Sequence, residues 1–225
     1  MKLVHPEYTL PILEESACVC QEWIIESPEL FSKYVQELFS QINGSEGNFV
    51  LSSDEKELDI SKMMEIIINP LSININDRKV INKLYSELSQ TAFDSENYLY
   101  TQSIFADIQK YCLSLEQSSN YILEMDSEID ITALFKALNI KLEIFADNFF
   151  EMINQYIKIV AELLKKKIVV FINISSYLSK KQLEELLKNA AYNEIVLLLI
   201  ENHQKDYFLK DTRCIIIDKD GCEIC

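Results

Sequence analysis

An α/β fold, with a mostly parallel sheet interrupted by an inserted helical sub-domain, is predicted by three observations. Ile168–Ile172 and Ile195–Ile200 are continuous apolar runs, the pattern of strands covered on both faces. Between them, Ser179-x-x-Gln182 forms a capping box ahead of Leu183, Leu186 and Leu187, so a helix joins the two strands as a parallel crossover. From Asp77 to about Leu115, helical spacing continues with no strand, which marks an excursion from the sheet.

The remaining elements follow in chain order. Apolar stretches at Met1–Val4 and Ala17–Ile25 read as strands separated by a proline-containing turn. Ser27-Pro28-Glu29 starts a helix, with Ser as cap, Pro in the first turn and an acid at the positive end of the dipole. Leu30, Phe31, Tyr34, Val35, Leu38, Phe39 and Ile42 give that helix one apolar face, and Asn43-Gly44 ends it. Phe49–Leu51 and Ile66–Ile68 are candidate strands.

Val80, Ile81, Leu84, Tyr85 and Leu88 begin the helical excursion, which breaks near residues 93–97 and resumes from Ile104 to Leu115. Ile131–Leu138 reads as a short helix and Ile140–Phe145 as a strand. A long amphipathic helix from Phe149 to Leu164 ends in Lys165-Lys166-Lys167, where lysines complement the negative end of the dipole. Arg213–Asp218 adds a last strand. The expected domains are a head of 1–76 plus 131–225 and a helical sub-domain of 77–130.

The 225 residues carry a formal net charge of −15, and 48% are apolar, an ordinary fraction for a folded protein. The acidic balance argues against a chain that coats nucleic acid over its whole surface, although it permits a local basic patch. Only Arg78 and Arg213 are arginines among 21 basic residues. Any DNA contact is therefore expected through the backbone, with little base readout. The N-terminus shows no export signal, and no apolar run approaches the ~20 residues of a membrane span. A cytoplasmic protein without membrane contact is expected.

Most catalytic chemistry lacks its residues. No G-x-x-x-x-G-K-[ST] motif is present, and the one glycine pair, in Gly44-Ser45-Glu46-Gly47, places an acid where phosphates would approach. A thiol dyad of His203 and Cys214 has no orienting carboxylate that spacing identifies. The six cysteines are expected as reduced thiols. Cys18, Cys20, Cys222 and Cys225 could serve either as four zinc ligands or as core and surface thiols. No enzyme activity is expected.

One acidic segment stands out. Between Lys110 and Lys136 lie Glu116, Glu124, Asp126, Glu128 and Asp130, without a basic residue. Hard carboxylate oxygens suit Ca2+, yet the same acids could simply cap the helix near Ile131. An EF-hand loop is excluded because Ile131 stands where the loop needs glycine.

Three stretches resemble a known family: Leu134-Phe-Lys-Ala-Leu-Asn-Ile-Lys-Leu-Glu143, Lys165-Lys-Lys-Ile-Val-Val-Phe-Ile-Asn173 and Tyr177-Leu-Ser-Lys-Lys-Gln-Leu-Glu-Glu-Leu187. Together with Met1-Lys-Leu and Asn74–Tyr85, they resemble the accessory spacer-acquisition protein of type II-A CRISPR systems, the short form of the Csn family. The resemblance is strongest from about 125 to 201. It implies a P-loop-ATPase-like head with no functional Walker motif and a role in antiviral defence. It also implies a homotetrameric ring, stabilised by Ca2+, that binds double-stranded DNA ends through a lysine-lined hole. The integrase complex and the type II effector nuclease are the partners it implies.

On that resemblance Glu124, Asp126 and Glu128 are the metal candidates, while Met125 and Ser127 stand where the family can have acids. Lys136 and Lys141, followed by Lys33, Lys56 and Lys62, are the DNA-binding candidates. Two other readings remain: an NTPase-like enzyme with a degenerate nucleotide site, and an acidic adaptor that does not touch DNA.

Overall fold

The computed structural model describes residues 1–14, 20–207, 209 and 212–224. Cys18, Cys225 and the start of the Ala17–Ile25 stretch lie outside the described residues. In chain order the strands and helices are β1 (Lys2–Val4), β2 (Leu13–Glu14), β3 (Cys20–Ile25), α1 (Pro28–Ile42), β4 (Val50–Ser53), β5 (Lys56–Leu58), α2 (Ile60–Met63) and β6 (Met64–Ile67). Then follow α3 (Arg78–Ala92), α4 (Tyr98–Gln117), α5 (Ile131–Ala137), α6 (Phe149–Glu162), β7 (Ile168–Ile172), α7 (Lys180–Tyr192), β8 (Val196–Glu201), β9 (Thr212–Ile217) and β10 (Glu223–Ile224). The chain divides into two compact units, Met1–Ile75 with Ile144–Cys225, and Asn76–Glu143.

The first unit is built on a six-stranded sheet in the order β10-β9-β3-β8-β7-β6. Every pair in it is parallel except β10 with β9. The mixed α/β class with a mostly parallel sheet is therefore as the sequence predicts. β7 and β8 are buried at every position, which explains the unbroken apolar runs Ile168–Ile172 and Val196–Ile200; Glu201 at the end of β8 is the one polar side chain in these two strands.

One face carries Trp23, Ile25, Val170, Ile172, Leu198 and Ile200, packed with Tyr34, Val35 and Leu38 of α1. Each such side chain, once fully buried, contributes about 1.5–3 kcal/mol. Val169, Phe171, Leu197 and Leu199 alternate to the other face and are fully buried there. Helices α6 and α7 pack together, and α7 packs on β8.

The helix starts follow the sequence. Ser27 accepts the Leu30 N–H to cap α1, and Ser179 and Gln182 form the reciprocal capping box of α7. A second, antiparallel sheet in the order β2-β1-β4-β5 joins the same core through Leu3, Leu13 and Leu51. Its strands are too short for their alternation to be visible in the sequence.

One expectation is corrected, for a stretch that falls mostly in the second unit. Ile140–Phe145 is not a strand. Its backbone is satisfied by side chains: the Ile140 carbonyl accepts the Tyr85 hydroxyl at 3.0 Å, and Leu142 exchanges two hydrogen bonds with the Asn76 amide at 2.9 and 3.0 Å. In the first unit Lys166, expected to complement the dipole at the end of the helix before β7, is a buried residue. It is 6% exposed and pairs with Glu65 at 2.8 Å, and it also donates to the Met64 carbonyl. Tyr156 donates to the other Glu65 oxygen at 3.2 Å, so the buried carboxylate is held from two sides.

The second unit is helical. The break between α3 and α4 falls at residues 93–97, where Asp94 accepts the N–H groups of Glu96 and Asn97. Residues 131–143 group with this unit, whereas the sequence analysis assigned them to the head. Tyr85 of α3 stacks near Phe135 of α5, with ring centroids 5.8 Å apart.

Candidate nucleic-acid interface

The lysines singled out in the sequence fall in both units. Lys136 lies on α5 and Lys141 just beyond it, both exposed in the helical unit. Neither makes an ion pair with the described residues. Lys33, on α1 of the head, behaves differently. Its ammonium donates to both oxygens of Glu7 at 2.7 Å and lies 4.9 Å from the Tyr34 ring centroid. The Glu7 bond raises the Lys33 pKa, and the Lys33 bond lowers that of Glu7. Lys33 is thus already paired within the chain. Lys62 pairs with Asp59 at 3.2 Å but remains 80% exposed, and Lys56 lies on the exposed strand β5.

The acidic segment forms a loop between α4 and α5. Glu124, Asp126 and Glu128 are all exposed. Asp130 caps α5, accepting the Thr132 hydroxyl at 2.7 Å and its N–H at 2.8 Å, which lowers its pKa. Among the described residues, no three His, Cys, Asp or Glu side chains gather into a metal site. Glu124, Asp126 and Glu128 of a single chain are therefore not gathered into such a group, and neither are Cys20 and Cys222. His203 is engaged on both ring nitrogens, by Asn202 at 2.6 Å and Lys205 at 3.0 Å, so its nitrogens are not directed to the Cys214 thiol.

A second polar cluster, at the carboxyl end of the parallel sheet, was not anticipated. Glu201 ends β8 and is 2% exposed. Its Oε1 accepts the Ser175 N–H at 3.0 Å and hydroxyl at 2.7 Å, while its Oε2 is buried without a hydrogen-bond partner among the described residues. Glu22 of β3 lies opposite Leu199 in the register, so it shares a sheet face with Glu201 one pleat away. Burial raises the pKa of both acids, and the Glu201 charge raises that of Glu22 further. The available signal was the charge that interrupts each apolar strand, Glu22 in Cys-Gln-Glu-Trp-Ile-Ile and Glu201 directly after Ile200.

The helical unit presents apolar side chains that it does not bury. Leu99 is 79% exposed, Tyr100 70% and Ile122 97%, with Tyr111 and Tyr121 also exposed. A groove of about 430 Å3, lined by Phe93, Tyr98, Phe105, Gln109 and Glu128, lies in the same unit.

No curated protein matches the chain. Among solved structures it is similar to that described as the crystal structure of Stu0660 of Streptococcus thermophilus, with a TM-score of 0.61 and 12% identity, over 96% of this chain and 74% of that one. At that identity the likeness establishes the fold. Residues 41–221 match the family model described as CRISPR-associated protein (Cas_Csn2). That span takes in most of the chain, including the helical unit and the parallel strands β6 to β9, and the chain belongs to the CRISPR-associated Csn2 family.

Proposed function

We propose that this chain is a non-enzymatic subunit of a homotetrameric ring that binds the ends of double-stranded DNA, without sequence preference, during CRISPR spacer acquisition. The family match supports the CRISPR role. The observation that carries the assembly is the set of exposed apolar side chains on the helical unit, Leu99, Tyr100, Tyr111, Tyr121 and Ile122 among them. Exposed apolar surface of that kind favours association over solvation.

Lys136 and Lys141 support the DNA contact because they are exposed and unpaired, and each recurs in every copy of a ring. A positive track of that kind attracts phosphates despite the net charge of −15 per chain. The integrase complex and the type II effector nuclease are the partners this reading gives it.

The corner after β3 supports the absence of catalysis. There Glu26-Ser27-Pro28 leads into α1, with Ser27 bonded to Glu29 at 3.0 Å. In an ATPase-like head, a glycine-rich loop would donate N–H groups to phosphate at that corner. Here proline removes a donor and two acids repel the anion.

The test combines light-scattering mass, with and without a chelator, and binding of linear against covalently closed duplex over graded salt. A tetramer that shifts linear DNA and binds covalently closed circles poorly is expected, because a ring retains only what it can thread. Equal retention of the two topologies contradicts end binding, and a monomer that leaves linear duplex unshifted contradicts the whole reading. Chelator-independent assembly removes calcium from it. Lys136→Glu with Lys141→Glu is expected to weaken binding about tenfold or more and to flatten its salt dependence.

A further inference from the structure

The sheet topology directs attention to one place in the head. Strands β3 and β8 are parallel neighbours whose chains leave in opposite directions. β3 leads into α1 and eventually to β6 at one edge of the sheet, whereas β8 leads across β3 to β9 on its other side. In open α/β sheets, ligands bind outside the carboxyl ends of the strands, where the direction of the connections switches. In this chain Glu201 stands at that end, as the last residue of β8.

We propose that Glu201, Glu22 and the Ser175 hydroxyl form a site for a hydrated divalent cation, Mg2+ or Mn2+, separate from the acidic segment at 124–128. Glu201 supplies the first observation. One oxygen is fixed by both donors of Ser175, which sets the carboxylate plane, while the other is buried with no partner among the described residues. A buried carboxylate oxygen left unpaired carries a desolvation cost that a ligand would remove. Glu22 supplies the second. Its carboxylate shares the sheet face with Glu201, is only half-buried, and makes no hydrogen bond with the described residues.

Charge selects the ligand. The two acids repel each other, and among the described residues the Lys205 ammonium is the cation that acts on both. The Lys205 ammonium is 3.0 Å from the His203 Nε2 and is therefore shared. A phosphate or carboxylate ligand would meet two like charges at once. With two carboxylates and a hydroxyl rather than three or more acidic or imidazole donors, the set matches an ion that keeps several of its waters, as Mg2+ does. The half-exposed Glu22 leaves a path for those waters.

The full chain is titrated with Mn2+ alone, up to roughly 1 mM, and bound ion is counted by electron paramagnetic resonance. The variant with Glu124→Gln, Asp126→Asn and Glu128→Gln is expected to retain one bound Mn2+ per chain. Glu201→Gln is expected to weaken that ion at least tenfold, and Mg2+ is expected to compete for it. Glu22→Gln, at a half-exposed position, is the second variant if Glu201→Gln does not fold, and is also expected to weaken binding. Loss of all bound Mn2+ in the triple variant overturns the proposal, as does wild-type binding in folded Glu201→Gln or in Glu22→Gln. Because the triple variant leaves this mouth intact, the result is independent of whether a ring assembles.

Discussion

The two units use apolar residues in opposite ways. In the head, β7 and β8 bury every side chain, and one continuous cluster ties both sheets to α1. In the helical unit, only Val80, Tyr85, Thr101, Phe105 and Ile131 fall in the buried class, while Leu99, Tyr100, Tyr111 and Ile122 are exposed. Both units are rich in large apolar residues, so composition does not distinguish them; what differs is whether a chain provides its own cover. The head's core is complete within one molecule. The helical unit's apolar surface is spent on whatever it meets.

Six substitutions sharpen that contrast, and the largest effect belongs to the head. Phe171→Ala leaves a void between fully buried neighbours and is expected to cost about 4–5 kcal/mol in urea unfolding. Lys166→Met removes the cation paired with the buried Glu65 carboxylate, at about 3–4 kcal/mol. Adding Glu65→Leu should recover most of that loss, and a double variant no more stable than the single one would show that packing, not charge, is what Lys166 supplies.

Gly47→Ala tests a smaller contact. A Cβ there would lie 2.4 Å from Gln41 Cδ, and Gln41 exchanges two 3.0 Å hydrogen bonds with the Phe49 backbone. Displacing it is expected to cost about 1–2 kcal/mol, read from the same unfolding curves. The smallest change in chain stability, under about 0.5 kcal/mol each, is expected for Leu99→Ser and Tyr100→Ser. Those two should nevertheless lower the mass seen by light scattering at a fixed concentration. If they unfold the chain instead, the contrast between the units fails.

The fold was legible in the sequence wherever one local rule dominated. Continuous apolar runs gave β7 and β8, and hydroxyl caps gave the starts of α1 and α7. It was not legible where distant side chains took over the work of the backbone. Ile140–Phe145 has the composition of a strand, but Asn76 and Tyr85, more than fifty residues away in sequence, occupy its hydrogen-bonding groups. Lys166 sits in a run of three lysines that reads as complementing a helix dipole, and only the fold reveals its pairing with Glu65. The site was less legible than the fold. Lys33 and Lys136 look alike in sequence, yet one is held by Glu7 and the other is free of ion pairs. Glu22 and Glu201 are 179 positions apart and become neighbours only through the register of β3 on β8.

The paired hydrogen bonds between the Asn76 amide and the Leu142 backbone join the first and nearly the last residue of the inserted helices. The insert is thus closed at its own base, like a cartridge whose two leads emerge side by side. Evolution, or an engineer, could lengthen, exchange or delete it by splicing at that pin, and a linker of a few residues would suffice to rejoin the parent chain.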